Sequence, residues 1–245
     1  MSRVELRRVE FMSQLEAYEQ LGIAMTCRSY EEYLRMFALT EDDLSKGSTL
    51  DVAGGGSSFT AEADARGYTA IAADPLFSKD TDFLTQHVYD EIELSTGKIT
   101  KLQENYDWSF YGSPDLHRVR RLRSAEQFIQ HYKTSPASYV GAQLPELPFA
   151  NDTFHHVLCS HFLFLYADQF DHAFHLHAVR ELIRVCKVGG RVLIYPLKSL
   201  RWVPYPTLDE LLQHITEEGH RVSFRLSQLP FIPGSFEMLC IEKMD

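Results

Sequence analysis

The feature that most constrains the fold is a short apolar segment that ends in an acidic residue and a cluster of glycines. Residues 49–59 read TLDVAGGGSSF, and a second apolar segment, residues 71–75, reads IAADP. The residues between them have helical spacing, so the predicted order is strand, tight turn, helix and strand. Open α/β sheets bind nucleotide-like ligands beyond the carboxyl ends of their strands. The pattern therefore predicts a parallel sheet with a ligand site beside the glycine turn.

The residues around this turn indicate an adenosine-containing cofactor. Glycine has no Cβ, so the turn lets the backbone approach a ligand closely. Asp74 ends the second strand and can accept hydrogen bonds from both ribose hydroxyls. A dinucleotide is disfavoured, because the Gly-x-Gly-x-x-Gly pattern needs a third glycine where Phe59 or Thr60 stands.

The turn resembles motif I of the class I S-adenosylmethionine-dependent methyltransferases, in which an acidic residue is followed by Gly-x-Gly-x-Gly. On that pattern Asp51 is the acidic residue and Gly55 is the central glycine. Ala53 and Ser57 replace the outer two glycines, and both are small. The chain is also similar to an uncharacterised bacterial branch of the family that carries Ser-Ser-Phe in this motif.

The resemblance continues in the second half of the chain. Residues 147–160 resemble the segment that leads into strand four of that family, and residues 181–194 resemble its next helix, Gly-Gly turn and strand five. In all, the resemblance covers residues 45–75 and 137–242. It implies binding of S-adenosyl-L-methionine and release of S-adenosyl-L-homocysteine.

The resemblance also implies roles for residues at the strand ends. Asp51 would contact the methionine ammonium, Asp74 the ribose, and Gln143 the adenine amino group, with Leu144 beside the adenine face. Asp51 and Asp74 have an alternative reading as strand-end acids that organise a turn, and Gln143 as an ordinary polar residue at a strand end. The full set of candidate cofactor-binding residues is Asp51, Ala53, Gly54, Gly55, Ser57, Asp74, Pro75, Gln143, Leu144 and Ser160.

A second group of residues is a candidate for the acceptor side of the reaction. In that fold the tip of strand four points at the transferred methyl group, and His161 follows this tip. Histidine titrates in a range suited to a general base, which is needed only if the acceptor must lose a proton. A histidine packed under the sheet rim is the alternative. The candidate substrate-binding residues are aromatic side chains that could equally fill the core: Trp108, Tyr111, Phe162 and Tyr166.

The predicted architecture is a Rossmann-like three-layer α/β sandwich with a mostly parallel seven-stranded sheet. Residues 222–226 and 236–241 read as two strands joined without a helix, which predicts an antiparallel β6–β7 hairpin. Such a hairpin closes the sheet in the methyltransferase fold and is unexpected in a dinucleotide-binding domain.

The domain organisation follows from the same elements. Residues 1–44 are expected to form an N-terminal helical segment, with one apolar stripe at Leu15, Tyr18 and Leu21 and another from Tyr30 to Phe37. Residues 45–245 then form a single α/β domain.

An insertion after strand two spans residues 76–136, about sixty residues where a helical crossover needs about a dozen. Its second half begins a helix at Ser113 and Pro114, and its first half, including Glu91 and Glu93, is expected to be looser. At the rim of the cofactor crevice the insertion is placed to act as a lid or an acceptor-binding cap. The arginines between 118 and 123 could bind an anionic acceptor, but a solvated helix face is the favoured reading.

Composition indicates which kinds of partner and which cellular compartment to expect. The net charge is −10 with no basic run, which argues against general nucleic-acid or membrane binding. The four cysteines are scattered, no signal peptide is recognisable, and no apolar run approaches the ~20 residues that span a bilayer, so we expect a cytoplasmic protein. The histidines at 172, 175 and 177 lack a recognised zinc spacing, so no metal is expected.

Three functions are compatible with these patterns. We expect a methyltransferase acting on a small-molecule acceptor, with the acceptor and the oligomeric state left open by the sequence. A catalytically inactive binding or regulatory module is the alternative that Ala53 and Ser57 motivate. A nicotinamide-dependent enzyme is disfavoured by the glycine spacing and by the terminal hairpin.

Overall fold

The computed structural model describes Gln20 and residues 22–245. The predicted helix with Leu15, Tyr18 and Leu21 therefore lies outside the described residues. The second stripe is confirmed, because Tyr30–Met36 is a helix that buries Tyr30 and Tyr33.

The described part of the chain contains a seven-stranded sheet in the order β3-β2-β1-β4-β5-β7-β6. The strands are β1 Thr49–Val52, β2 Ala70–Ala73, β3 Tyr139–Val140, β4 Phe154–Ser160, β5 Cys186–Tyr195, β6 Arg221–Leu226 and β7 Glu237–Glu242. Strands β1 to β5 pair in parallel, whereas β7 pairs antiparallel with both β5 and β6. This order confirms the predicted fold class, including the terminal hairpin.

Seven α-helices connect and cover these strands in the described residues. They are α1 Tyr30–Met36, α2 Glu41–Ser45, α3 Phe59–Ala65, α4 Thr81–Lys101, α5 Pro114–Thr134, α6 His172–Val185 and α7 Leu208–Glu217. None of the helices in this part of the chain is both long and apolar enough to cross a bilayer.

The core lies on both faces of the sheet because successive strand residues point to opposite sides. Val157 and Val192 pack in one cluster with residues of α6 and α7. Their neighbours Leu158 and Leu193 pack in another cluster with residues of α1 and α3, including Phe59. The sheet is thus the middle of three layers, and α1 belongs to one outer layer.

The insertion after β2 is helical, as predicted, but more completely so. Ser113 caps α5 by accepting a hydrogen bond from the Leu116 N–H, and Pro114 occupies the first helical position. The expectation of a looser first half is wrong for Glu91 and Glu93, which lie within α4. Asp80 caps that helix, and its buried residues pack on α5, which explains its length.

Candidate functional site

The glycine turn after β1 contains two residues in the left-handed backbone region. Ala53 has a φ of +58° and Gly55 has a φ of +56°. The Ala53 N–H donates to the Ala73 carbonyl at 2.8 Å, which ties the turn to the end of β2. A non-glycine residue in this region costs about 1–2 kcal/mol, so the alanine substitution in motif I is a strained position.

The glycines of this turn pack against the chain itself. A Cβ on Gly54 would lie 2.9 Å from an Asp51 carboxylate oxygen, and one on Gly55 would lie 3.0 Å from the Thr26 carbonyl. A Cβ on Gly56 would lie 2.7 Å from the Cys27 Sγ. The absence of side chains at Gly55 and Gly56 is therefore required by the segment at residues 25–27, whether or not a ligand binds.

Asp51 lies at the carboxyl end of β1 and is 1% exposed. The Tyr33 hydroxyl donates to its two carboxylate oxygens at 3.0 Å each. Burial and the nearby charge of Asp74 raise the pKa of Asp51 to about 8, while the Tyr33 hydrogen bond opposes the shift. Asp51 is therefore largely protonated at neutral pH in the ligand-free protein.

Asp74 lies at the carboxyl end of the neighbouring strand β2. One of its oxygens accepts from the Gly55 N–H at 3.1 Å and the other from the Leu76 N–H at 2.9 Å. Burial raises its pKa, and these two hydrogen bonds oppose the shift. Across residues 22–245, neither Asp74 nor Asp51 forms an ion pair with a cationic side chain.

These two carboxylates provide the test of whether an adenosine cofactor fits. A carboxylate offers about four acceptor sites, so Asp74 keeps acceptor capacity for hydroxyl groups beyond its two backbone partners. Asp51 forms no ion pair with a cationic side chain among residues 22–245, although the more distant charge of Arg28 also acts to lower its pKa, so its carboxylate can still pair with an ammonium group. These two acceptor groups fit the hydroxyl and ammonium donors of the cofactor, whereas the glycines alone do not identify it.

The remaining candidate cofactor residues differ in their surroundings. Gln143 and Pro75 are exposed, whereas Leu144 is buried in the core cluster beneath α6 and α7. The Ser57 hydroxyl donates to the Arg28 carbonyl at 2.9 Å, so it fastens the turn to the segment before α1. Ser160 is buried, and its hydroxyl lies 3.0 Å from His161 Nδ1.

A cavity of about 90 Å³ lies beyond the tip of β4. Seven parts of the chain enclose it: residues 24–28, α4, the α4–α5 connection, α5, the loop after β4, the loop after β5 and the β6–β7 connection. The insertion therefore forms part of the wall, as expected for an acceptor-binding cap. Of the predicted catalytic and substrate residues, His161 and Tyr166 line this cavity.

His161 adopts an unusual backbone conformation at the cavity wall. Its φ is +52°, and its N–H donates to the Tyr195 carbonyl at 2.6 Å. Burial, together with the charges of Arg28 and Arg121, holds the pKa of His161 well below its ordinary value. The imidazole is neutral at physiological pH. It can therefore accept a hydrogen bond from a hydroxyl or amine of the substrate that receives the methyl group, but it is a weak base.

The other predicted aromatic residues lie behind the cavity wall. The rings of Trp108 and Tyr111 pack against His117, at centroid distances of 6.2 and 4.7 Å. Phe162 packs against Tyr166 and Phe170. These residues support the lining side chains rather than form the surface of the cavity.

Sequence reasoning missed a buried charged cluster beside the cavity. Glu32 is fully buried and Arg121 is 4% exposed. Arg121 donates to both Glu32 oxygens, at 2.6 and 2.9 Å, and to the Cys27 carbonyl at 2.9 Å. Tyr111 also donates to Glu32. The reading of residues 118–123 as a solvated helix face is thus wrong for Arg121, although Arg118 does pair with Glu93 at the surface.

The signal for this cluster lies in the capping pattern before α1. Ser29 and Glu32 form a reciprocal capping box, which places the Glu32 carboxylate back over the helix start. Nothing in the sequence shows that an arginine about ninety residues later completes it.

Comparison with known proteins adds little to this geometry. No family model matches the chain. An uncharacterised protein of Methanocaldococcus jannaschii is 29% identical over 227 residues, which cover 88% of this chain and 94% of that protein.

Among solved structures, a protein of Pyrococcus horikoshii is similar with 12% identity and a TM-score of 0.45, covering 88% of this chain and 91% of its own. A TehB-like SAM-dependent methyltransferase from Corynebacterium glutamicum is similar with 11% identity and a TM-score of 0.42, covering 81% of this chain and 80% of its own. At these values the likeness carries no argument, and the fold assignment rests on the strand order.

Proposed function

We propose that this protein is an S-adenosylmethionine-dependent methyltransferase that acts on a small-molecule acceptor. The observation that carries the proposal is the pair of buried carboxylates, Asp51 and Asp74, at the carboxyl ends of adjacent parallel strands. Ligands of open α/β sheets bind at that edge. Burial raises the pKa of both groups, and such perturbed carboxylates mark functional sites.

The strand order gives independent support. An antiparallel β7 between β5 and β6 matches the terminal hairpin that the motif I resemblance implies. A dinucleotide-binding domain does not need such a hairpin. The four described cysteines are all buried and unpaired, which supports our further proposal that the protein works in a reducing compartment such as the cytoplasm.

The protein mainly has to position the cofactor and the methyl acceptor relative to each other. The cofactor, when bound, supplies a methyl group that its sulfonium already activates. Asp74 and Asp51 would hold the ribose hydroxyls and the ammonium, and the cavity beyond β4 would hold the acceptor and exclude water. Neutral His161 would orient a hydroxyl or amine of the acceptor by accepting its hydrogen bond.

A catalytically inactive binding module is the second candidate. Two features favour this candidate: the strained backbone of Ala53 and the packing of residues 25–27 on the glycines. Neither feature requires that the protein transfer a methyl group. The two candidates share a cofactor site and differ in whether the protein transfers the methyl group to an acceptor.

Calorimetric titration with S-adenosylmethionine, S-adenosylhomocysteine and NADH in parallel tests the proposal. We expect micromolar binding of the first two and no binding of NADH. Binding of NADH alone would overturn the proposed cofactor. Where S-adenosylmethionine binds, production of S-adenosylhomocysteine from a panel of small acceptors distinguishes an enzyme from an inactive module.

A further inference from the structure

Arg28 brings a positive charge to the cavity without a carboxylate to balance it. The side chain lines the cavity, and its guanidinium donates to the Thr26 hydroxyl. Among residues 22–245, no carboxylate forms an ion pair with Arg28. The Glu32 carboxylate is engaged by Arg121 and Tyr111 instead.

The formal charges around the cavity therefore do not cancel. Two guanidinium groups, of Arg28 and Arg121, face one carboxylate, that of Glu32, which leaves one positive charge. Burial and the charge of Arg121 lower the pKa of Arg28. Arg28 is only partly buried, and partial removal of an unpaired charge from water is costly unless a ligand of opposite sign neutralises it. This is notable in a chain whose net charge is −10.

A second unsatisfied group lies in the same wall. His117 is 2% exposed, and its Nδ1 atom has no hydrogen-bond partner in the described part of the chain. Burial lowers its pKa to about 2, so the ring is neutral and one of its nitrogens is a donor. Its ring stacks on Phe231 at a centroid distance of 5.5 Å, which fixes its position. Buried polar atoms without partners in native proteins call for an explanation, and a polar ligand provides one.

Most of the remaining cavity wall is apolar, although Ser95, His161 and Tyr166 also line it. It includes the aliphatic and aromatic side chains of Ile92, Ile99, Leu165, Trp202, Phe231 and Ile232. A volume of about 90 Å³ has room for roughly six to nine water-sized groups. The occupant therefore has a short apolar body and one anionic end.

We propose that this cavity binds an organic carboxylate whose anionic end is held by Arg28. A planar guanidinium matches a carboxylate through two parallel N–H···O bonds, whereas a phosphate dianion would exceed the single unbalanced charge. The inference rests on the proposed function for the identity of the carboxylate. The bound carboxylate belongs either to the methyl acceptor or to the amino-acid part of the cofactor, and both have a short apolar body.

The test measures binding to the full chain by calorimetry, without requiring turnover. The first arm titrates short carboxylic acids, butanoate and benzoate, against their neutral amides. The second arm titrates S-adenosylhomocysteine against 5′-methylthioadenosine, which lacks the amino-acid carboxylate. Each titration uses the wild type, Arg28→Met, Arg28→Lys and the control Arg123→Met, which removes an exposed arginine of the same helix that supplies Arg121.

The wild type is expected to bind at least one of the two carboxylate classes better than its neutral counterpart. Arg28→Met is expected to weaken that binding by about tenfold to a hundredfold, with Arg28→Lys intermediate and Arg123→Met unchanged. Loss for S-adenosylhomocysteine but not for 5′-methylthioadenosine assigns the cofactor carboxylate. Loss for the short acids alone assigns the acceptor.

Equal affinity for acids and amides, together with an unchanged affinity of Arg28→Met for S-adenosylhomocysteine, would overturn the inference. The wild-type comparison of acids with amides holds even if a variant fails to fold. If neither nucleoside binds the wild type, the proposed function fails, and the short-acid arm alone decides the inference.

Discussion

Binding of the cofactor should release a proton from Asp51. The pKa of Asp51 is raised to about 8 in the ligand-free protein by burial and by Asp74, so about nine-tenths of the molecules hold this proton at about pH 7. An ammonium group placed about 4–6 Å away lowers a carboxyl pKa by about 1–3 units. The occupied fraction then falls to about one half or less, so we expect release of about 0.4–0.9 proton per ligand bound.

The assay is calorimetric titration of S-adenosylhomocysteine in two buffers with different ionisation enthalpies at the same pH. The difference between the two observed enthalpies gives the number of protons released. The Asp51→Asn variant supplies the control, because it keeps the shape of the side chain and cannot titrate. Any release that remains in this variant comes from other groups, of which Asp74 is the nearest coupled acid. A wild type without buffer dependence, or a variant with undiminished release, would refute the assignment of Asp51 to the ammonium.

The same pKa shift predicts how the stability of the ligand-free protein depends on pH. The unfolded chain releases the Asp51 proton near pH 4, whereas the folded protein holds it until about pH 8. The folded state therefore binds more protons between these values, and the stability falls as the pH rises through this window. Denaturation by urea at several pH values checks this sign. A stability that rises from pH 5 to pH 8 in the wild type relative to Asp51→Asn would contradict it.

Three further substitutions test the remaining geometry. Asp74→Ala should weaken S-adenosylhomocysteine binding by about 1.5–3 kcal/mol, the range for hydrogen bonds to a charged group, and unchanged affinity in calorimetry would remove Asp74 from the site. Glu32→Gln leaves Arg121 buried without its carboxylate and should cost about 3–5 kcal/mol in urea denaturation. The control Glu31→Gln affects a half-exposed pair and should cost about 0–1 kcal/mol, so similar losses for the two would refute the buried ion pair. Gly56→Ala places a Cβ against Cys27 and should cost about 1–3 kcal/mol. Gly97→Ala, in a helix with open space around it, should stabilise by about 0.5–1 kcal/mol, and the reverse order of thermal midpoints would contradict the packing of residues 25–27 on the turn.

The fold could be predicted because its signals are local. The strand ends near Asp51 and Asp74 are marked by acids and glycines. The terminal hairpin is marked by the alternation of residues 222–226, the break at Pro233 and the apolar run 238–241. The observed strands Arg221–Leu226 and Glu237–Glu242 match the predicted 222–226 and 236–241 to within one residue at each end. Periodicity and turn chemistry are sufficient for such elements.

The cavity could be predicted only in part, because its walls come from distant parts of the chain. Arg28, Arg121 and Phe231 meet through tertiary packing that no local pattern encodes. In α5 the buried positions include the polar residues Arg121 and Ser124 beside the apolar Ala125. A stripe defined by hydrophobicity omits polar residues that are buried with their partners, and these are the residues that give the cavity its charge.

A crystal structure of the protein with S-adenosylhomocysteine bound would show whether Asp51 and Asp74 hold the cofactor. We predict that both ribose hydroxyls donate to Asp74 and that the amino-acid end lies beside Asp51, toward the cavity beyond β4. A ligand bound away from these two carboxylates, or an Asp74 that keeps only its Gly55 and Leu76 partners while the ligand sits elsewhere, would contradict the central claim.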